Sequence, residues 1–455
     1  MTVSDFFDYM KPGKVGHLIG IGGVSMSPLA EVLNARGITV QGSDMNESEA
    51  VAALRKKGIS VAVGHSEQNI CDADFIVRTA AVRDDNVEIQ AAHRQNIPVF
   101  ERTQAWGAIM REYRCGVCIA GTHGKTTTTS MMTHITLAAE KDPTVMIGGT
   151  LPILGSGYRL GAGDTIVLES CEYYNSFHNF SPTVAVILNV DNDHLDFFGD
   201  LDGVKASFRT FAEKTAEDGW VIANGDDANT MSALRELNRR IKTFGLSEQA
   251  DFYAKHITEG RTPEFDVFAE GTFWAHIRLN VAGTHNIYNA LAACAAAYVL
   301  GISPEQTAKG LEGFRGAGRR LEWRGKCGEA DVYDDYAHHP GEIEALLNAV
   351  STMGYERILM AFQPHTYSRT IQHFEAFLQV LSGVDKLWLA EIFAAREQNT
   401  TGISAKDLAE HLEGAVFRED FAELAEEIRR EARAGDIILT VGAGNINRLG
   451  DLLIS

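Results

Sequence analysis

The chain has 455 residues, 45% of them hydrophobic and 22% charged, with a formal net charge of -20. That length exceeds one ordinary core and predicts two to four globular domains. The acidic balance argues against nucleic-acid partners, no apolar run reaches membrane-spanning length, and the start (Asp5, Phe6, Phe7, Asp8) lacks the plan of a secretory signal, so a cytoplasmic protein without a membrane partner is expected.

In the first block, 1–108, the strand Val15–Ile19 runs into the turn Gly20-Ile-Gly22-Gly23-Val-Ser25 and an amphipathic stretch at 28–36. A second strand at 38–40 ends in Gly42-Ser43-Asp44, and strands at Ser60–Val63, Phe75–Arg78 and 98–100 continue the alternation. This is a βαβ pattern, for which an open parallel sheet is the natural outcome. A glycine turn followed by an acid also suits a dinucleotide, but Ser25 stands where the third glycine of that fingerprint belongs. A glycine-rich turn of this kind can equally cradle the pyrophosphate of another ligand.

The second block, 109–313, opens with a buried strand at 116–120. The turn Gly121-Thr122-His123-Gly124-Lys125-Thr126-Thr127 and a helical run at 128–137 follow it. A phosphate chain needs backbone N–H groups that approach closely, a helix N-terminus, a lysine and a hydroxyl for Mg2+; this turn supplies all four, with Lys125 and Thr126 in the last two roles. Ile119 replaces the first glycine of the strict motif, so the loop is a shortened variant. The plain alternative is a glycine-rich turn that binds nothing. Apolar runs at 165–168 and 184–189 indicate strands covered on both faces, ending at Glu169, with Glu172 beyond, and at a 189–196 segment that holds His194. Carboxylate, imidazole and the Thr126 hydroxyl make a candidate Mg2+ shell, set against a hydrogen-bonded structural histidine. His285 and Asn289 share a face at the start of an alanine-rich helix, suited to an adenine edge or simply to capping.

The third block, 314–455, follows a glycine-rich hinge. Gly318-Arg319-Arg320 supplies guanidinium groups, and Asp334-Asp335-Tyr336-Ala-His338-His339-Pro340 places acids and imidazoles at a strand end. Adjacent His338 and His339 diverge and do not share a metal. Arg369 suits bidentate carboxylate binding. Strands at 331–333, Arg357–Phe362, Lys386–Leu389 and Asp436–Val441 predict another α/β sheet, and the charged 418–433 stretch a solvated helix. Of the six cysteines, Cys115 and Cys118 form a CxxC on a strand, where an odd offset sends the thiols to opposite faces. Reduced, unbridged thiols are expected.

The motifs GTHGKTTTT, Glu169, DHLD, GTHNIYN, GRRLE, DDYAHHP and FQPHTYSRT occur in this order over essentially the whole chain, which therefore resembles the Mur ligases. The resemblance implies three α/β domains: a Rossmann-like UDP-sugar domain (1–108), a central P-loop ATPase domain (109–313) and a Rossmann-like amino-acid domain (314–455). It implies ATP and Mg2+ as cofactors and an acyl-phosphate route to an amide, with UDP-N-acetylmuramate and L-alanine as partners. Lys125 is implied at the β/γ-phosphates within Gly121–Thr127, and Thr126, Glu169 and His194 at the metal. His285, Asn286, Asn289, Arg320 and Asp335 are implied at the nucleotide. Tyr336, His338 and Arg369 are implied at the amino acid, and Gly22, Gly23, Ser25, Ser43, Asp44 and His65 at the UDP-sugar. Lys125, Glu169, His194, His338 and Arg369 carry the implied catalysis, with His194 or His338 as the base. A monomer or homodimer is expected. The chain departs from the family at His365-Thr366-Tyr-Ser-Arg369, where HRYTR is usual, and at Glu169-Ser-Cys-Glu172, where EADE is usual. Arg209 occupies the place of a carbamylated lysine in some relatives, which predicts no carbamate. The competing readings are a murein-tripeptide recycling ligase, an NAD-dependent dehydrogenase, and a non-catalytic binding protein on a ligase fold.

Overall fold

The computed structural model describes residues 1–79, 82–395 and 397–454, without the Asp196 side chain. Its strands form three sheets, of five, ten and six strands. Among the described residues no helix is long and apolar enough to cross a membrane.

The first sheet is wholly parallel, in the order Ser60–Val63, Thr39–Asp44, Val15–Ile19, Phe75–Arg78, Val99–Glu101. The first strand lies in the middle, so the chain departs from it in opposite directions. A crevice at such a strand's carboxyl end is where ligands of open α/β sheets collect. That end is the Gly20 turn, with Ser43 and Asp44 beside it. The helix Met26–Ala35 starts at the turn because its apolar residues Met26, Leu29, Ala30, Val32 and Leu33 repeat at helical spacing and are buried.

In the ten-stranded sheet Cys115–Ala120 lies between Val184–Ile187 and Thr165–Glu169, all parallel. Three polar strand ends, at Gly121, Leu188–Asn189 and Glu169, are therefore neighbours. The helix after the loop begins at Lys125, earlier than its threonine-rich sequence suggests. β-Branched threonines are poor helix formers, but here their hydroxyls bond back one turn: Thr129 donates to the Lys125 carbonyl at 2.8 Å and Thr133 to that of Thr129 at 2.7 Å. The strands Thr144–Leu151 and Ser156–Arg159, and the run between 220 and 278, are additional to those expected. Glu264–Ala269 alternates buried and half-buried residues, the mark of a one-sided strand rather than a fully covered one.

The six-stranded sheet pairs Glu322–Cys327 antiparallel with Ala330–Asp335 and is otherwise parallel, continuing through Asp436–Val441, Arg357–Phe362, Lys386–Leu389 and Val416–Phe417. One core cluster, around Phe362, Phe377, Leu389 and Val441, covers one face, and a second, around Val332, Trp388, Ile438 and Leu449, covers the other.

By its internal contacts the chain divides into two compact units. The first comprises Met1–Lys255, Val267–Ala275 and Tyr288–Leu311; the second comprises His256–Asp266, His276–Ile287 and Glu312–Ser455. Within the first unit a single core joins the five-stranded sheet to the central one, through Phe6, Phe75, Phe100, Trp106, Phe177 and Phe208.

Candidate active site

The loop from Gly121 to Thr127 is clamped against the neighbouring strand end by Asn189. His123 N–H donates to Asn189 Oδ1 at 2.7 Å, the Asn189 amide donates to the His123 carbonyl at 3.1 Å, and Thr122 N–H donates to the Asn189 carbonyl at 3.1 Å. Glycine is required at two points. A Cβ at Gly121, where φ is 151°, would meet Leu188 Cβ at 2.8 Å, and one at Gly124, where φ is 85°, would meet Asn289 Oδ1 at 2.6 Å. Gly124 is the N-cap of the helix Lys125–Ala138 and offers no side-chain cap, so the first-turn N–H groups of Lys125, Thr126 and Thr127 have no side-chain acceptor from the cap, the arrangement an anion site requires. Asn289, from the alanine-rich helix, also accepts from Thr128 Oγ1 at 3.2 Å.

Lys125 Nζ lies 2.5 Å from the Gly121 carbonyl, 3.0 Å from that of Thr122 and 3.0 Å from Glu172 Oε2. Burial alone would lower its pKa, but the Glu172 carboxylate raises it above the ordinary lysine value. The ammonium is therefore fixed and charged before any ligand arrives. Thr126 Oγ1 donates to Glu169 Oε1 at 3.0 Å, and Gly148 N–H donates to Glu169 Oε2 at 2.6 Å. His194 contacts Glu172 and Asp193, at 3.9 and 3.7 Å, and stacks on Tyr173 with ring centroids 4.1 Å apart. The ligand atoms of Glu172, Asp193 and His194 all lie within 4.8 Å of one another. Asn189, Glu172 and Asp193 thus hold places that motif reading left unassigned. Asn189 and Asp193 stood in the quoted 189–196 segment, and Glu172 in the departure from EADE.

In the five-stranded sheet, Gly20 and Ile21 N–H groups donate to the Ser43 carbonyl at 2.8 and 3.0 Å, and Gly22 N–H donates to Asp44 Oδ2 at 2.9 Å. A Cβ at Gly22 would meet that carboxylate at 3.0 Å, and Gly23 closes the turn by donating to the Gly20 carbonyl at 3.1 Å. His65 Nδ1 lies 3.1 Å from Ser43 Oγ. Ser25 is hydrogen-bonded by the Arg102 guanidinium, and its carbonyl accepts from Trp106 Nε1 at 3.3 Å. Burial pulls the Arg102 pKa down, while Cys171, Glu101 and Glu169 oppose that shift. No motif marked Arg102.

In the second unit Asp335 is held by N–H donors, from Leu321 at 2.6 Å and from Ala337 at 2.8 Å, and burial raises its carboxyl to about 6. Arg319 and Arg320 both lie over the Tyr336 ring, at 4.9 and 5.4 Å. His338 Nδ1 is 3.0 Å from the Tyr336 carbonyl and 3.1 Å from Glu342 Oε2. Its pKa is lowered by burial against the opposing pull of Glu342. Arg369 Nη1 lies 3.2 Å from His365 Nδ1, and burial takes His365 down to about 4. His285 also falls to about 4, through burial and the charge of Arg320, while Asn286 turns back to donate to the Ala282 carbonyl at 2.7 Å.

Arg209 is a surface residue of the helix Leu201–Glu213, paired with Glu213 at 3.1 Å. The cysteines are free, and burial pushes the Cys118 thiol up to about 12, which opposes thiolate ligation.

Comparison with known proteins places three family models along the chain. The Mur ligase family, catalytic domain matches residues 16–114, the Mur ligase middle domain 119–297, and the Mur ligase, glutamate ligase domain 319–444. A UDP-N-acetylmuramate–L-alanine ligase from Caldanaerobacter subterraneus subsp. tengcongensis is 43% identical over 441 residues, 96% of each chain. One from Acetivibrio thermocellus is 43% identical over 96% of this chain and 95% of its own. Among solved structures, the UDP-N-acetylmuramate-alanine ligase of Thermotoga maritima aligns with a TM-score of 0.82 at 31% identity, covering 97% of this chain and 98% of its own. A murein peptide ligase from Psychrobacter arcticus aligns with a TM-score of 0.72 at 24% identity, covering 97% and 99%.

Proposed function

The chain belongs to the Mur ligase family, and from that premise we propose that it joins L-alanine to UDP-N-acetylmuramate at the expense of ATP, in peptidoglycan precursor synthesis. The observation that carries the reading is Lys125, held charged by Glu172 on an uncapped helix N-terminus beside the Thr126–Glu169 pair. Near-complete alignment with alanine ligases supports the substrates.

In the reaction so read, the muramoyl carboxylate attacks the γ-phosphate of ATP in line, forming an acyl phosphate and ADP. Lys125 and the first-turn N–H groups offset the repulsion between the two anions. The alanine amine then attacks the acyl carbon, phosphate leaves, and the amine proton passes to a base. His338 suits that role, because its depressed pKa keeps the ring neutral and able to accept. Arg369 would hold the alanine carboxylate, and His285, Asn286, Asn289, Arg320 and Asp335 the nucleotide. The donor set fits Mg2+: the Thr126 hydroxyl with Glu169, and the Glu172, Asp193 and His194 group, are mostly oxygen. Bound there, the ion would neutralise phosphate charge. The boundaries 1–108, 109–313 and 314–455 serve as the division into UDP-sugar, ATP and amino-acid domains. Six free thiols and a net charge of -20 support a cytoplasmic enzyme without nucleic-acid partners, and we read it as a monomer or homodimer.

The recycling-ligase reading is supported less well, because the Psychrobacter arcticus protein at 24% identity shares the fold alone. A dehydrogenase would need Asp44 available to a ribose, whereas it accepts the Gly22 N–H at 2.9 Å. A non-catalytic protein would have no use for a lysine paired with a buried acid in a phosphate loop.

The test is phosphate release from ATP with UDP-N-acetylmuramate and Mg2+ across L-alanine, glycine, L-serine and the murein tripeptide. Release that requires both the sugar nucleotide and L-alanine is the expected outcome. Release with the tripeptide alone would move the protein to the recycling branch, and none with any nucleophile would refute a ligase.

A further inference from the structure

Acids in the first turn of a helix ordinarily face water, where they complement the dipole. Glu88, in the first turn of the helix Val87–Arg94, is instead fully buried, at 0% exposure. Asn69 Nδ2 and Ser66 N–H donate to its Oε1 at 2.7 and 3.2 Å, while Ser43 Oγ and His17 Nε2 lie 2.6 and 3.3 Å from Oε2. His65 Nδ1 is 3.5 Å from the same oxygen. Burial would raise this carboxyl's pKa, but hydrogen bonds from His17, Ser43 and Asn69 hold it down at about 2. At neutral pH it is a carboxylate and accepts only.

The Ser43 hydroxyl proton goes to Glu88, so towards His65, 3.1 Å away, Ser43 Oγ presents a lone pair. His65 must then carry its hydrogen on Nδ1. A neutral ring with its hydrogen on Nδ1 has a lone pair at Nε2, and no described protein group is bonded to that atom. The Ser43 carbonyl meanwhile anchors the glycine turn through Gly20 and Ile21. One buried acid therefore reaches both arms of the crevice.

We propose that Glu88 is a positioning residue of the sugar-nucleotide site: through Ser43 it fixes the His65 hydrogen on Nδ1, and so presents Nε2 as an acceptor to a neutral N–H or O–H donor of UDP-N-acetylmuramate. This rests on the reading that Ser43 and His65 line that site. Without the carboxylate the Ser43 hydroxyl is free to turn towards His65, the ring takes the other tautomer, and a donor on the protein meets a donor on the ligand.

The experiment uses the full-length enzyme labelled with 15N-histidine. Long-range 1H–15N spectra at alkaline pH assign the His65 tautomer, its signals being those lost in His65→Gln. The Nδ1–H form is expected in the wild type and a shift towards Nε2–H in Glu88→Gln. In kinetics, Glu88→Gln should raise the KM for UDP-N-acetylmuramate about 10- to 100-fold, the value of one hydrogen bond to a buried group. The KM values for ATP and alanine, and kcat, should stay within about 3-fold, a split that general loss of structure would not give. Ser43→Ala should match it, and the double variant should add nothing further. An Nε2–H ring at His65 in the wild type overturns the proposal, whether or not Glu88→Gln folds. An unchanged sugar KM in Glu88→Gln, with a raised one in His65→Gln, overturns the relay and leaves the site. An unchanged KM in His65→Gln removes the site reading itself, and the proposed ligand with it, while the ligase activity stands.

Discussion

Around Lys125 buried charge is answered by opposite charge, whereas around His338 and His365 burial holds imidazoles neutral. In the phosphate loop the Glu172 carboxylate keeps the lysine protonated, its pKa above the ordinary value. In the C-terminal cluster His285 and His365 are pushed down to about 4, mainly by burial, with Arg320 adding to the shift at His285 and Arg369 outweighing Glu397 at His365. The difference matches what each place would receive. A phosphate chain arrives as pure anion, and a pre-charged lysine can exchange Glu172 for it. An amino acid carries both signs, so it needs one fixed cation for its carboxylate and neutral acceptors for its amine.

The sharpest way to break this contrast is to uncharge the loop. Lys125→Met should lower kcat/KM by about 10^3-fold or more. It should also lose about 3–5 kcal/mol of stability, because Glu172, with a side-chain exposure of 2%, is left buried and unpaired. Adding Glu172→Gln should restore most of the stability and none of the turnover. Recovery of turnover in the double variant would show that Lys125 is structural. Next in size, Glu169→Gln keeps an oxygen for the Gly148 N–H but removes the negative charge opposite Thr126. A fall of about 10- to 100-fold in kcat is expected, partly recovered at high Mg2+. Loss insensitive to Mg2+ would remove Glu169 from the metal shell.

Sequence made the two clusters unequally legible. Strands covered on both faces announce themselves by unbroken apolar runs, so Arg357–Phe362, Lys386–Leu389 and Asp436–Val441 lie at their expected bounds. The loop from Gly121 to Thr127 was readable because its chemistry is contiguous. Glu88 was not: Asn-Val-Glu at a helix start reads as a capped, solvated turn, and its burial depends on Ser43, Ser66 and Asn69, which are distant in sequence. Arg102 was hidden in the same way. Asn189 sat within a recognised segment, but its clamp on the loop is a property of neighbouring strand ends.

Titration sharpens the comparison from the C-terminal side. His285 and His365 have folded-state values near 4 against 6.5 for the free side chain, so their stabilisation is fully present above about pH 6.5 and is lost as pH falls towards 4. The ceiling is about 3 kcal/mol for each. Asp335 runs the other way: raised from 3.8 to about 6, its contribution is present below 3.8 and lost as pH rises through 6. His365→Gln should therefore flatten the fall in melting temperature between pH 6.5 and 4, and Asp335→Asn should steepen it. Equal slopes in both variants would mean that these groups are not buried as described.

The smallest expected effect concerns the backbone between His365 and Arg369. Thr366 has φ 66° and ψ 143°, a conformation comfortable for glycine and costly for a β-branched residue. It is held there by Thr366 N–H donating to the Phe393 carbonyl at 2.9 Å and by Thr370 N–H donating to the Thr366 carbonyl at 3.2 Å. Its hydroxyl caps the Arg369 N–H only weakly, at 3.4 Å. Thr366→Gly should therefore gain about 1 kcal/mol of stability. Arg369 would be freed at the same time, and the alanine KM should rise about 2- to 5-fold with the ATP KM unmoved, since each 1.4 kcal/mol is tenfold. Thr366→Ala removes the hydroxyl but keeps the Cβ, so it should show no gain. A gain in both variants would assign the effect to the hydroxyl rather than to the backbone. A gain in neither would show that this turn carries no strain, and that Arg369 is aimed by His365 alone.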